Sequence, residues 1–196
     1  LSRGIDMAVL DYCFQHGLLY EAADYHNAVF VGYDGKTPRY ATLRGTLSGS
    51  GFKRDVTGSN KQFCFSITGK GNGTLNVFEC AIDALSYLTQ VKMQGADWRQ
   101  ESILSLGGVY QSGPNEMPKM PTALQSYLER HTDVQEIVLR LDNDAVGRGA
   151  ASAISQAITN LPVSVELPAD GKDYNEWLMR QKGIFSRLRA RNDPER

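Results

Sequence analysis

The spacing of apolar residues divides the chain into two parts with different patterns. In the first part, apolar residues recur with helical spacing over residues 4–17. Three short apolar runs follow, and they predict antiparallel strands at residues 28–33, 39–43 and 62–67. Asp34-Gly35, between the first two runs, is a hairpin signal. We therefore predict a small α+β unit.

The second part alternates strand-like and helix-like segments after the flexible run GKGNG at residues 69–73. Strands are predicted at residues 74–78, 103–106, 136–141 and 163–167, and helices at residues 81–93, 121–131, 145–160 and 174–182. Such alternation is typical of βαβ units and a mostly parallel sheet flanked by helices. We expect an α/β fold with a small basic subdomain at residues 1–70, a parallel-sheet domain at residues 74–183, and a basic helix or tail at residues 184–196.

The composition is that of a folded globular protein, with 41% hydrophobic and 22% charged residues. No apolar run approaches the roughly 20 residues that a membrane-spanning helix needs, so we expect no membrane partner. The chain begins at Leu1 without Met and without an apolar signal segment, so we expect part of a longer cytoplasmic protein. Cys13, Cys64 and Cys80 form no C-x-x-C pair, which favours buried free thiols over a structural zinc site.

The net charge of -1 hides a strong segregation of charge along the sequence. Seven basic residues and one acid, Asp55, lie between Lys36 and Lys70, which gives a local charge of +6 (7 − 1). The stretch from Arg180 to the end carries +4, from six basic and two acidic residues. This pattern indicates a polyanionic partner around an acidic centre, although solvated strand and helix faces explain the charges equally well.

Carboxylates follow three of the predicted parallel strands. Glu79 follows the first strand, Asp142 and Asp144 follow the third, and Asp170 and Asp173 follow the fourth. Ligands of an open parallel sheet bind beyond the carboxyl ends of its strands, so these side chains are expected at one edge. Carboxylate oxygens suit Mg²⁺ or Mn²⁺. Asp144 and Asp173 also precede helices and fit the role of N-cap, which is compatible with metal binding.

Four runs in the second part resemble, in order and spacing, the motifs of a Toprim domain. They are VFECAIDALSY, SILSLGG, IVLRLDNDAVGRGAA and LPADGKDYNEWL, and together they extend over about 110 residues. The Gly-Arg-Gly after Asp144 and the ending DGKDYNEWL are similar to those of bacterial, phage and plasmid primases. The basic first part resembles the subdomain that precedes Toprim in those enzymes. The whole is most similar to Toprim-containing proteins of bacterial mobile elements.

The resemblance implies roles for individual acids. Glu79 corresponds to the acid nearest the reacting phosphate, as metal ligand or general base. Asp142 and Asp144 correspond to metal ligands, and Asp173 to a secondary acid. Asn175 stands where bacterial primases usually have a second Asp, which is a departure at the outer metal site.

Several neighbouring residues have two interpretations each. Lys172 either contacts phosphate or pairs with a carboxylate, and Arg148 either reaches a phosphate or forms a surface ion pair. Asp83 either orients Glu79, approaches the metal, or simply favours the positive N-terminal end of its helix. The glycines after the second strand either admit a ligand close to the backbone or form a plain tight turn; they are Gly107 and Gly108.

The basic segment mixes aromatic and cationic side chains, as proteins that bind single-stranded nucleic acid do. Phe63 and Phe65 are more simply placed in the core. The residues expected to contact nucleic acid are Arg44, Lys53, Arg54 and Lys61, with Arg148 as a further candidate.

The resemblance implies a primase-like nucleotidyltransferase of DNA replication that uses Mg²⁺ or Mn²⁺. Its partners are then nucleotides and single-stranded DNA or an RNA–DNA product. A helicase or an upstream zinc-ribbon domain is a further expected partner. A Toprim metal-dependent nuclease or nickase remains an alternative. A non-catalytic nucleic-acid-binding module of a mobile-element protein is the third hypothesis.

Overall fold

The computed structural model describes residues 2–46, 51–71, 73–109 and 119–184. Its first part opens with helix α1 (Met7–Gln15), which Asp6 caps by accepting the N–H of Ala8 at 2.8 Å. An antiparallel sheet follows, in the order β1 (Leu19–Glu21), β2 (Ala28–Asp34), β3 (Thr37–Arg44) and β4 (Lys53–Asp55).

The second sheet has five strands within the described residues, in the order β5-β7-β6-β8-β9. They are β5 (Ser66–Ile67), β6 (Thr74–Phe78), β7 (Ser102–Ser105), β8 (Glu136–Arg140) and β9 (Val163–Val165). Strands β6 to β9 run parallel, and β5 is antiparallel to β7. The helices of this part are α2 (Ala81–Met93), α3 (Thr122–Arg130), α4 (Ala145–Ala157) and α5 (Tyr174–Gln181). Across the described ranges, no helix has the length and apolar character needed to cross a membrane.

Buried side chains on the two faces of the second sheet belong to separate apolar clusters. Leu75 and Val77 of β6 pack with residues of α3 and α4, whereas Phe78 packs with residues of α1, α2 and α5. Both faces are therefore covered by helices, as a parallel sheet requires. The predicted fold class, a parallel-rich sheet flanked by helices and preceded by a small α+β unit, is confirmed.

The antiparallel sheet is packed closely against the segment that leads into the second sheet. A Cβ built on Gly32 of β2 comes within 1.7 Å of the Phe63 carbonyl oxygen, so only glycine allows this approach. Tyr40 of β3 is 2% exposed and lies in the same apolar cluster as Leu104 and Leu106. This packing brings β3 and β4 beside the carboxyl end of the second sheet.

The prediction of a strand over residues 62–67 is correct for its last two residues and wrong for the rest. The Asn60 side chain accepts the N–H of Gln62 at 3.0 Å and starts a 3-10 turn at Lys61–Phe63, which takes these residues out of an extended run. Only Ser66–Ile67 forms a strand, and it joins the second sheet. The domain limits at residues 70 and 74 stay a prediction, and nearly all of the predicted tail, from residue 185 onward, lies outside the described residues.

Candidate metal and phosphate site

The register of the parallel strands places Glu79 and Asp142 side by side. Phe78, the last residue of β6, pairs with Arg140, the last residue of β8. Glu79 follows directly and Asp142 comes two residues after β8, so both carboxylates lie at the carboxyl edge of the sheet, beyond neighbouring strands. On the other side of β6, the N–H of Gly108 donates to the Glu79 carbonyl at 2.9 Å, which anchors the Gly107-Gly108 turn there.

Glu79 and Asp142 interact strongly enough to perturb each other. Burial, reinforced by the charge of Asp142 and a hydrogen bond between the two carboxyls, raises the pKa of Glu79 to about 7. Burial and the nearby charge of Asp173 also raise the pKa of Asp142, although Lys172 opposes that rise. With a pKa of about 7, the Glu79 carboxyl loses its proton readily near neutral pH, to a base or to a competing cation.

Asp144 caps helix α4 with one carboxylate oxygen. Its Oδ1 accepts the N–H of Gly147 at 2.8 Å, and this bond, with Lys172, lowers the pKa of the Asp144 carboxyl. Gly147 is buried, and a Cβ built on it lies 2.1 Å from the carbonyl oxygen of Asp142. The helix thus begins in direct contact with the loop that carries Asp142 and Asp144.

Lys172 bridges the two aspartates of this loop. Its Nζ lies 3.0 Å from Asp144 Oδ2 and 3.4 Å from Asp142 Oδ2. The hydrogen bond to Asp144 is the main reason that the pKa of the ammonium is raised. Of the two interpretations that the sequence left open for Lys172, the structure shows the carboxylate pair.

The remaining acids differ in their relation to the site. Asp173 caps α5 by accepting the N–H of Glu176 at 2.7 Å, and it also lines the site cleft. Asp170 instead pairs with Arg180 at 2.8 Å. The predicted strand-end cluster therefore includes Asp173, whereas Asp170 is engaged by an arginine of α5.

Asp83 also lines the site cleft but is largely buried, at 6% exposure. It accepts a hydrogen bond from the Cys80 thiol at 2.8 Å and from the Asn175 N–H at 3.2 Å. Burial first, and the charge of Asp173 second, raise the pKa of Asp83 to about 7. Cys80 was predicted to be buried and is half-buried, whereas Cys13 and Cys64 are buried free thiols as predicted.

Asn175 ties three segments together. Its side-chain amide donates to the carbonyl of Arg3 at 2.8 Å and to Ser86 Oγ at 2.9 Å, and its Oδ1 accepts from the Arg3 guanidinium at 3.2 Å. All polar atoms of this side chain are engaged with protein groups. No pattern in the sequence indicates the contact between Asn175 and Arg3, which are 172 positions apart.

The acids face basic residues across a cleft of about 200 Å³. Glu79, Asp83, Asp142 and Asp173 lie among its lining residues, together with Arg3, Arg44 and Lys53. Arg44 and Lys53 are directly opposite each other on β3 and β4. A second cleft of similar volume continues from it past Arg54, Gly107 and Gly108.

Two of the predicted nucleic-acid contacts are engaged elsewhere. Lys61 Nζ donates to the carbonyl of Gly107 at 3.1 Å and lies 3.5 Å from Asp55. Arg148 donates to the backbone and side-chain oxygens of Asn143, within its own loop. The structure thus brings Arg44, Lys53 and Arg54 to the clefts, whereas Arg148 braces the loop that carries the aspartates.

The donor chemistry of the site suits a hard divalent cation, but the ligands are not arranged as a finished metal centre. Within the described ranges, no three His, Cys, Asp or Glu side chains are grouped closely enough to hold an ion. When Glu79 and Asp142 are both ionised they repel each other beside Asp144, and the Lys172 ammonium offsets part of the charge of the two aspartates. Oxygen donors under such repulsion fit Mg²⁺ or Mn²⁺.

The matches to protein families divide the chain near the boundary between its two parts. Residues 76–178, more than half of the chain, match a family described as Toprim-like. The chain belongs to the Toprim-like family. Residues 1–71 match a family described as a protein of unknown function (DUF3991). No curated protein matches this Toprim-like chain in sequence.

Solved primase structures share the fold of this Toprim-like protein. The primase fragment of the bacteriophage T7 primase-helicase aligns with a TM-score of 0.60 and 17% identity, over 96% of this chain and 71% of that chain. The Aquifex aeolicus primase, with its zinc-binding and RNA polymerase domains, gives 0.53 and 15% over 96% and 53%. The Escherichia coli primase catalytic core gives 0.51 and 15% over 91% and 58%. At these identities the likeness shows a shared fold of the primase type.

Proposed function

We propose that this Toprim-like protein is a primase-like nucleotidyltransferase that uses Mg²⁺ or Mn²⁺ and acts on single-stranded DNA. One observation carries the proposal: the carboxylates of Glu79 and Asp142 line the same narrow cleft as Arg44 and Lys53. Carboxylates suit a metal and a proton, whereas the cationic wall suits the phosphates of a nucleotide or a template.

Each side chain of the site has a role in this proposal. Asp142 and Asp144, with Glu79 and Asp173 beside them, would hold the metal. A bound divalent ion supplies charge stabilisation at phosphate and lowers the pKa of an attacking hydroxyl. Glu79 would act as a further metal ligand or as the general base that accepts the proton of the attacking hydroxyl.

The pair of Arg44 and Lys53 suits a polyanion in a further respect. Arg44 and Lys53 are directly opposite on adjacent strands, and like charges in that position repel unless an anion lies between or above them. A larger, mostly apolar cleft of about 770 Å³ shares Gly45 and Phe52 with the acidic cleft, and Tyr25 and Arg54 also line it. Aromatic and cationic groups of this kind stack bases and contact phosphates of a single strand.

The proposed partners are nucleotides, a single-stranded DNA template and the RNA–DNA product. Among the structural neighbours, the T7 protein is a primase-helicase, and the Aquifex fragment includes a zinc-binding domain. By analogy, we include a helicase or a zinc-ribbon domain among the proposed partners. We propose the cytoplasm as the location and the replication of a mobile element as the process.

Primer synthesis tests the proposal. The 196-residue protein is incubated with single-stranded DNA, ribonucleotides and either Mg²⁺ or Mn²⁺, and labelled products are separated on a denaturing gel. We expect metal-dependent short products, and a loss of about 100-fold or more in the Glu79→Gln variant. Glu136→Gln is the matched control, because Glu136 is exposed and begins β8 at the opposite end of the strand from Asp142.

A non-catalytic nucleic-acid-binding module is the second candidate. It is favoured by the lack of a three-ligand group among the described residues and by the Lys172 bridge between the aspartates. Folded wild-type protein that binds single-stranded DNA but makes no product with either metal would support this candidate against the first. Mn²⁺-dependent nicking of a supercoiled plasmid without primer synthesis would instead identify a nuclease.

A further inference from the structure

The two aspartates of the Asp142–Asp144 loop each offer one oxygen to the same ammonium group. Asp144 Oδ1 is committed to the N–H of Gly147, which leaves Oδ2 as the oxygen available to a cation. That Oδ2 lies 3.0 Å from Lys172 Nζ, and the Oδ2 of Asp142 lies 3.4 Å from it. Lys172 therefore occupies the oxygens that a metal between these aspartates would need.

The backbone around Lys172 holds the lysine in this place. The carbonyl of Lys172 accepts the N–H of Asn143 at 2.7 Å, so the lysine loop is joined directly to the aspartate loop. The N–H of Lys172 donates to Glu176 Oε2 at 2.8 Å. Gly171, at φ +86°, turns the chain so that the Glu176 side chain packs within 2.9 Å of a Cβ built there. The backbone that carries Lys172 is thus held in place by hydrogen bonds and close packing.

We propose that Lys172 is a resident counter-ion of the site, and that a divalent metal must displace its ammonium from Asp142 and Asp144 to bind. The inference rests on the proposed function, because it takes the metal site as given and adds what controls its occupancy. A monovalent and a divalent cation that share the same two oxygens repel each other, so they compete for these oxygens. The lysine side chain is 54% exposed, which leaves room for the released ammonium to move.

Displacement gives the site a definite order of events. Before the metal binds, Lys172 offsets the repulsion among the carboxylates and keeps the loop together. After displacement, the ammonium is a free cation near Asp142, which lines the cleft that we propose for phosphate. The lysine therefore weakens metal binding in the absence of a polyanion. A bound polyanion restores the metal affinity because it binds the released ammonium.

Mn²⁺ titration by calorimetry tests the inference without any activity assay. Lys172→Met removes the charge and keeps the length of the side chain, so we expect its Mn²⁺ affinity to rise roughly 3- to 30-fold over wild type. Lys172→Arg keeps the positive charge and is expected to stay within about threefold of wild type. Lys92→Ala is the control, because Lys92, in the last turn of α2, forms a lysine–aspartate pair with Asp6 away from the site.

Thermal unfolding provides the second readout. Without metal, Lys172→Met should have a lower Tm than wild type, and Mn²⁺ should raise its Tm by more than it raises that of wild type. If Lys172→Met does not fold, Lys172→Gln carries the same comparison.

Two results would overturn the inference in distinguishable ways. Mn²⁺ that binds wild type and binds the neutral variants equally or more weakly would exclude displacement, and the proposed metal-dependent function would stand. Folded wild type and variants that all fail to bind Mn²⁺, with and without oligodeoxythymidylate, would overturn both the inference and the proposed function.

Discussion

The side chain of Asp144 caps a helix and contacts a cation at the same time, two roles that the sequence predicts to be compatible. One oxygen accepts the Gly147 N–H at the start of α4, and the other faces Lys172. A carboxylate has enough lone pairs for both partners, so capping a helix does not withdraw it from cation binding. Because the cap orients the carboxylate, the residue is held ready for an ion at little further cost in side-chain entropy.

Asp83 gives a pH-dependent prediction at this scale. Its pKa is raised from 3.8 to about 7. Between these two pH values the folded protein therefore keeps a proton that the unfolded chain has released. The stability that this group contributes is present below about pH 4 and is lost as the pH rises through about 7. We expect Asp83→Asn to raise the free energy of unfolding at pH 8.5 by about 2 kcal/mol, and by much less at pH 5.

Urea denaturation of both proteins at the two pH values measures this effect. Asp11→Asn is the control, because Asp11 is exposed on α1 and its replacement should leave the pH profile unchanged. A pH dependence that is identical in wild type and Asp83→Asn would show that the buried carboxyl does not hold its proton.

Residue contacts near the site were predictable only where they follow from strand order. Glu79, Asp142 and Asp173 could be assigned to one edge because each follows a strand of a parallel sheet. The contact of Asn175 with Arg3, and the placement of Lys172 on two carboxylates, depend on loop paths that apolar periodicity does not encode. The choice between a phosphate and a carboxylate partner for Lys172 therefore had to await the structure.

Helix α4 illustrates how one element positions the site. The helix starts so close to the preceding loop that position 147 has no room for a side chain. Gly149, two residues later, faces open space, with no atom within 4 Å of a built Cβ. The two glycines of the GRG run therefore have different physical functions, although they look equivalent in the sequence.

Alanine substitutions at these glycines should have opposite effects. Gly147→Ala forces its Cβ into the Asp142 backbone, and we expect a loss of about 2 kcal/mol or more in the free energy of unfolding, with weaker Mn²⁺ binding. Gly149→Ala should stabilise the protein by about 0.5–1 kcal/mol, because alanine favours the helix and meets no neighbour. Equal stabilities of the two variants in urea would contradict the close contact.

The errors in predicting elements arise where a local cap, close packing or strand pairing overrides the apolar pattern. Residues 62–67 have alternating aromatic character, yet an Asn60 cap and the close approach of Gly32 favour a 3-10 turn. Strands β1 and β4 were not predicted, because they have three residues each and β4 is made of Lys53, Arg54 and Asp55. Their extended form comes from pairing with β2 and β3, not from an apolar stripe.

At the scale of the whole molecule, charge segregation in the sequence becomes segregation in space. The alternation of strands and helices sufficed to predict the parallel sheet and its flanking helices, because both faces need apolar cover. It could not predict how the antiparallel sheet sits, which depends on the packing of Tyr40 and on Gly32. That packing brings Arg44 and Lys53 opposite the carboxylates and creates the cleft.

The basic wall leads to a prediction about binding of single-stranded DNA. If Arg44 and Lys53 neutralise two phosphates, Arg44→Ala/Lys53→Ala should weaken binding of an oligodeoxythymidylate and reduce the slope of log K against log salt concentration by about 1.4. Lys36→Ala/Lys70→Ala is the matched control: it removes the same charge from the same basic segment, at exposed positions that do not line the acidic cleft. Fluorescence anisotropy at four or more salt concentrations, all with the fold checked by circular dichroism, gives both slopes.

Because long-range attraction depends on net charge and not on position, both double variants should lose some affinity at low salt. If Arg44 and Lys53 contact phosphates directly, the affinity of Arg44→Ala/Lys53→Ala must fall less steeply with salt concentration than that of the control. Equal slopes would mean that the polyanion is attracted by the overall charge of the segment and does not lie in the cleft.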